Sequence, residues 1–239
     1  MSTSLLDMDI VVYRCTAASE LDSLATTIDR FEFLMAQIVE RTKASLVKSY
    51  ITGENNFRYK VYPEYKANRR DIKPPRWRQE LNEHAVVEWK AEVTDGFEAD
   101  DALGIEQVCL ASIGEASVIC SIDKDLKQIP GYHYNFVKDE FDEVKPKDGL
   151  RFFYEQLLIG DRADNIFGID RIGPKRAAAA LEPFMHEEDW FRVVRDMYND
   201  DARLLTNARC LHIWQYPDDD WINSKYGLWL AEDLLLEAQ

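Results

Sequence analysis

The spacing of apolar and polar positions changes character several times along this chain, and each change predicts an element. Residues 4–12 form a short, mostly apolar run that predicts a buried strand whose end carries Asp7 and Asp9. From about residue 21 to 41, Leu24, Ile28, Phe31, Leu34, Ile38 and Val39 recur at helical spacing. Residues 45–51 predict a second strand, stopped by the turn at Thr52 and Gly53. The stretch 55–78 is basic, rich in tyrosine and interrupted by proline; it has no clean period and is expected to be exposed or mobile instead of core. Residues 77–93 predict a helix broken at Asp95-Gly96, and a further helix opens near Phe97 and runs to about Ser112. Residues 116–122 have the β-branched content of a buried parallel strand and end at Asp123, and 132–137 predict one more strand. From Gly149 onward the pattern is almost wholly helical, and its tryptophans (Trp190, Trp214, Trp221, Trp229) are expected to pack.

Strands alternating with helices as far as residue 137 imply an α/β fold with a mostly parallel central sheet flanked by helices. Ligands of such sheets bind beyond the carboxyl ends of the strands, where Asp7 and Asp123 fall. The 239 residues, 46% hydrophobic, suffice for one α/β core and a helical appendage. We therefore expect an α/β part over 1–145, with 55–92 as a distinct segment, and a helical part over 146–239. No apolar run reaches the roughly 18 residues of a membrane span, and no signal-peptide pattern opens the chain. Cys15, Cys109, Cys120 and Cys210 are far apart in sequence, as expected of free thiols in a reducing cytoplasm. The four histidines are as scattered, which argues against zinc.

A net charge of −15 argues, as a sum, against a nucleic-acid partner. The distribution argues otherwise. Between positions 58 and 78 stand Arg58, Lys60, Lys66, Arg69, Arg70, Lys73, Arg76 and Arg78 against only Glu64 and Asp71. The acids gather in four groups: Asp7 with Asp9; Glu98, Asp100 and Asp101; Asp123 and Asp125; Asp161 and Asp164. Each group alone is explained by helix capping or turn chemistry. Together they point to more. Glu98 and Asp101 are three apart, and Asp123 and Asp125 follow an apolar strand. Two carboxylates about 4 Å apart repel by roughly 4 kcal/mol at an effective dielectric near 20. A cluster of them requires raised pKa values or bound cations, and hard oxygen donors without His or Cys suit Mg²⁺ or Mn²⁺.

The stretches 5–14 (LLDMDIVVYR), 56–69 (NFRYKVYPEYKANR), 96–101 (GFEADD), 121–129 (SIDKDLKQI) and 160–181 (GDRADNIFGIDRIGPKRAAAAL), in this order, resemble the 5′-nuclease family. Its members are phage 5′–3′ exonucleases, the 5′-nuclease domains of bacterial DNA polymerase I, and flap endonucleases; the phage members are the most similar. The resemblance implies a Rossmann-like sheet, a helical arch or clamp, and a C-terminal helix-three-turn-helix. It implies two Mg²⁺ or Mn²⁺ ions on Asp7, Glu98, Asp100, Asp101, Asp123, Asp125, Asp161 and Asp164, with Asp7 chosen over Asp9. It assigns stacking near the scissile nucleotide to Tyr65 and contact with the scissile phosphate to Lys66 and Arg69. Three-residue spacing on a helix would put those two cations on one face. Arg58 and Arg70 are expected on DNA, as are Gly168, Gly173, Lys175 and Arg176 of the helix-three-turn-helix, which in the family also binds K⁺. Pro174 fits the first position of a helix there.

One departure stands out. The family places an aspartate just after the second strand, and here that region reads Tyr50-Ile51-Thr52-Gly53-Glu54, leaving Glu54 or water as the substitute. The expected activity is metal-dependent 5′–3′ exonuclease and 5′-flap endonuclease action by a cytoplasmic monomer on DNA 5′ ends, flaps and duplexes with a single-stranded 5′ arm. One alternative is 5′ primer removal from RNA–DNA hybrids by the same chemistry. The other, from a different class, is an inactive branched-DNA-binding protein, which only the missing aspartate favours.

Overall fold

A computed structural model of the protein describes residues 2–237. Its first apolar run does not stay extended to residue 12. Strand β1 (Ser2–Asp7) turns directly into helix α1 (Met8–Ala17), because the Asp7 carboxylate caps it, accepting from the Ile10 N–H at 3.1 Å. Met8, Val11, Val12 and Cys15 then share a buried helical face, which explains why the run is apolar without being strand. Helix α2 (Leu24–Thr42) follows, capped by the Ser23 hydroxyl and burying Phe31, Met35 and Ile38.

The remaining sheet strands are β2 (Leu46–Ile51), β3 (Glu92–Val93), β4 (Ala116–Cys120), β5 (Gly131–Asn135) and β6 (Glu140–Val144). The spatial order is β3-β2-β1-β4-β5-β6, parallel throughout except for β6 against β5. The antiparallel strand β6 was not expected from the sequence. Nor was β3, which takes the last two residues of the stretch read as helical. Register pairs Asp7 with Tyr50 and Leu6 with Cys120, so the carboxyl ends of β1, β2 and β4 lie level. Leu5 and Leu6 point to opposite faces. Leu6 packs with Val11, Phe31 and Leu81 under α1, α2 and α4 (Arg78–Glu88). Leu5 packs with Leu103, Ile119 and Ile129 under α5 (Ala99–Ser112).

From α6 (Pro146–Ile159) onward a separate apolar cluster forms. It takes Tyr154, Leu157, Trp190, Phe191, Leu204 and Leu230 from α6, α8 (Glu187–Tyr198), α9 (Asp201–Leu211) and α10 (Lys225–Glu237). Between α6 and α8 lie a tight hairpin, β7 (Gly160–Asp161) with β8 (Ile166–Phe167), and α7 (Pro174–Leu181), which opens at Pro174 as expected. Trp190 and Trp221 are buried, and Trp214 is stacked between Phe57 and Phe97 at centroid distances of 5.0 and 5.5 Å.

The basic stretch departs most from expectation. It is not a long helical arch but one turn of helix, α3 (Arg58–Val61), a 3₁₀ turn at Ala67–Arg69, a loop, and then α4. Its first half reaches the core through three residues: Asn56, Arg58 and Tyr65 are buried. Among the described residues, no helix is long and apolar enough to cross a membrane.

Candidate active site

The level strand ends bring one set of carboxylates into a cleft of about 370 Å³. Asp7 sits on its floor at the end of β1, with Oδ2 accepting from the Ser121 hydroxyl at 2.7 Å. Asp9, in the first turn of α1, accepts from the Thr52 N–H at 3.0 Å and so hangs over the end of β2. Asp100 comes from the start of α5, and Asp123 from the loop after β4, where its Oδ1 accepts from the Asp125 N–H at 2.9 Å. Glu98, Lys66, Arg69, Arg70, Arg78 and Tyr59 line the same cleft.

Crowding and burial show in the titration of these groups. Burial pushes the Asp7 carboxyl up to about 7, the charges of Asp9 and Asp123 adding to it and the Ser121 hydroxyl opposing. Asp9 is raised by burial, against the hydrogen bonds from Thr52. Asp100 is raised well above the ordinary range by burial, then by Asp7, Asp123 and Glu98. Beside this group, Asp125 is pushed up to about 8 by burial, then by Asp123 and Asp161, although Gln156 donates to it at 2.7 Å. Asp161, on the β7–β8 hairpin, accepts from the Ala163 N–H at 2.8 Å.

The other expected ligands are differently employed. Asp101 is fully buried, with both oxygens facing the Arg58 guanidinium at 2.6 and 2.9 Å. It also accepts from the backbone N–H groups of Glu98 and Trp214 at 2.9 and 3.0 Å. It is the closing acid of a capping box at the start of α5, not a metal ligand. Glu98 accepts from Asn56 at 2.9 Å, Lys66 at 2.5 Å and Tyr65 at 2.9 Å. Burial works against its charge, yet Lys66 and Arg58 hold its carboxyl below the ordinary value. Asp164 takes Arg69 at 2.8 Å and Tyr65 at 2.9 Å, with the Lys66 ammonium at 3.6 Å.

Two expected DNA contacts are excluded by the same geometry. Arg58 is 2% exposed, and besides Asp101 it donates to the carbonyls of Cys210 and His212 at 2.9 and 2.7 Å. Tyr65 is 1% exposed and spends its hydroxyl between Glu98 and Asp164, so no ring face is left for a base. Lys66 and Arg69 do face the cleft, but not as neighbours on a helix. Lys66 has a left-handed φ of 53°, and the two side chains converge through Asp164. Burial lowers and Glu98 raises the Lys66 ammonium, which ends up at about 12, a fixed cation. Arg70 lines the cleft while its guanidinium donates to the Pro63 carbonyl. Glu54 is exposed and outside the cleft. Asp9, Ile10, Thr52, Tyr59 and Arg78 are the lining residues that were not expected there.

In the turn before α7, a side chain at Gly168 would collide with the backbone of Leu158–Gly160, its Cβ only 2.4 Å from the Gly160 nitrogen. Its smallness serves packing, not phosphate approach. Gly173 is open, and Lys175 and Arg176 are exposed beside it. Four carbonyls of the turn have donors: Arg203 on Phe167 and Gly168, Ile172 on Ile169, and Arg176 on Arg171. Each of these carbonyl oxygens keeps a second lone pair, so the bonds leave room for the expected K⁺.

For a divalent ion the fit is better. Asp7, Asp9, Asp100 and Asp123 have no cationic side chain within ion-pair distance among the described residues. Among those residues, however, no three acids, histidines or cysteines are already arranged so that they could hold an ion. The chemistry of the donors fits, and closure onto a metal requires side-chain adjustment.

Residues 4–153 match the family model for the 5′-3′ exonuclease, N-terminal resolvase-like domain. The chain belongs to that family. A 5′-3′ exonuclease of Buchnera aphidicola is 29% identical over 181 residues, 68% of this chain and 60% of its own length. The flap endonuclease Xni of a Shewanella species is 30% identical over 167 residues, 65% of this chain and 64% of its own. Against DNA polymerase I of Borreliella burgdorferi, 30% identity over 169 residues covers only 18% of the polymerase. The chain thus spans under a fifth of its polymerase relatives. Among solved structures, the bacteriophage T5 flap endonuclease with DNA and metal ions superposes with a TM-score of 0.73 at 15% identity, covering 98% of both chains. The T5 exonuclease with zinc gives 0.70 at 17% identity over the whole of both chains. At such identities the likeness is one of fold.

Proposed function

We propose that this family member is a divalent-metal-dependent 5′ nuclease that hydrolyses DNA at 5′ ends and 5′ flaps. One observation carries the reading: Asp7, Asp9, Asp100 and Asp123, none with a cation within ion-pair distance among the described residues, line one cleft together with Lys66, Arg69, Arg70 and Arg78. Carboxylates and cations gathered in one cleft suit a phosphodiester held by metal together with guanidinium and ammonium groups. Asp7, Asp100 and Asp123 would hold one ion, Mg²⁺ or Mn²⁺, and Asp125 with Asp161 the second. When bound, such ions lower the pKa of water and neutralise charge at the departing oxygen. Lys66 and Arg69 orient the phosphate: Glu98 and Asp164 fix both cations at the cleft, which spares the cost of ordering two long side chains on binding. The exposed Lys175 and Arg176, beside the open Gly173, contact duplex backbone and position it without reading sequence.

A duplex carrying a 5′ flap, labelled at each end in turn, tests the reading in Mg²⁺, Mn²⁺ and EDTA. Metal-dependent products shortened from the 5′ side are expected. Intact DNA in both metals beside a clear gel shift would leave a binding protein without chemistry. A matched RNA 5′ end in the same assay separates DNA action from removal of RNA primers.

A further inference from the structure

We propose that Asp9 is itself a metal ligand, delivered by α1 to the end of β2 and completing the ion site of Asp7, Asp100 and Asp123. The inference deepens the metal-dependent reading above and rests on it. Three elements at the strand ends each contribute an acid to the cleft: β1 gives Asp7, the loop after β4 gives Asp123, and α5 gives Asp100. Strand β2 gives none, since it runs out through Tyr50, Ile51, Thr52 and Gly53, and Glu54 lies exposed outside the cleft. Asp9 supplies what that strand end lacks. Its Oδ2 is held by the Thr52 N–H at 3.0 Å, which draws the carboxylate over the mouth of β2 into the shared cleft.

The helix itself does not need Asp9. Asp7 already caps α1 through the Ile10 N–H, and an acid in a first turn satisfies the dipole equally well facing solvent. Asp9 instead lines the cleft with the other acids, where the charge of Arg78 also reaches it, although no Lys or Arg lies within ion-pair distance of it among the described residues.

The rival role is a tether between α1 and β2. Asp9→Asn separates the two, because its amide oxygen still accepts from Thr52 while the charge is gone. Free Mn²⁺ is followed by electron paramagnetic resonance as it is titrated into EDTA-stripped protein, without DNA. We expect Asp9→Asn to weaken Mn²⁺ binding by about tenfold or more, at least the loss typical of a disturbed outer-shell partner, while its melting temperature in EDTA does not fall. Asp7→Asn and Asp123→Asn are measured beside it. Weakened binding in those two with wild-type affinity in Asp9→Asn overturns the assignment of Asp9 and leaves the metal site standing. Wild-type affinity in all three overturns the metal reading itself. Carbodiimide labelling of the wild-type protein needs no variant to fold: Mn²⁺ should protect Asp9 together with Asp123, and protection of Asp123 alone refutes the proposal.

Discussion

Replacing Arg58 should unfold this protein more readily than any change on its basic surface. The guanidinium is fully desolvated and makes four hydrogen bonds, two to the Asp101 carboxylate and one each to the carbonyls of Cys210 and His212. Arg58→Met keeps much of the volume but strands Asp101, which is fully buried, and leaves two carbonyls of the C-terminal helical part without their donor. Removing one partner of a buried pair costs about 3–5 kcal/mol. For a chain of this size that lowers the melting temperature by roughly 6–20 °C. Thermal and urea unfolding measure it. The double variant Arg58→Met with Asp101→Leu should recover only part of the loss, because the N–H groups of Glu98 and Trp214 then lose their acceptor. A single-variant loss within about 0.5 kcal/mol, the range of ordinary surface changes, would refute the account. So would weaker DNA binding at unchanged stability, since it would make Arg58 the DNA contact that its place in the basic stretch suggests.

Burial and mutual repulsion raise Asp7 to about 7 and Asp125 to about 8, so the folded metal-free protein keeps protons that the unfolded chain has released. That contribution is complete below the ordinary carboxylate range and is lost as pH rises through about 7 to 8; melts in EDTA should therefore fall between about pH 5 and pH 8, and saturating Mn²⁺ should flatten the decline. Tyr65→Phe removes the hydroxyl shared by Glu98 and Asp164 and should cost about 1–3 kcal/mol in urea unfolding, with KM for a flap substrate unchanged if the ring does not stack on a base. Lys175→Ala and Arg176→Ala should each weaken duplex binding regardless of sequence and reduce the slope of log affinity against log salt by about 1, read from binding isotherms over a salt series.

Much of the sheet and most of the acids were legible because their signals are local. A β-branched run that ends in an aspartate places that aspartate at a strand end, and Asp123 is there. The misreadings share a cause: one residue's direction was decided by a partner distant in sequence. Glu98 and Asp101 are three apart, which suggested a common face turned to the site. Glu98 does line the cleft, but as the N-cap of α5 with extended backbone, and Asp101 folds back onto its N–H, so it is Asp100 and not Asp101 that joins Glu98 there. Nothing near Asp101 in the chain announces that Arg58 waits behind it. The stretch 55–78 lacks periodicity because its order comes from tertiary contacts: Arg58 is fixed by Asp101 and α9, and Tyr65 by Glu98 and Asp164. Asp9 was passed over because the distance to Val12-Tyr13-Arg14 matches Asp7 to the family's first aspartate, and β1 was expected to run on to Val12. Once Asp7 caps a helix at that point, the chain turns, and the acid two residues later is carried toward β2 instead of continuing along the strand. One local capping event thus decides which acids the cleft contains, and so which residues can meet a metal there.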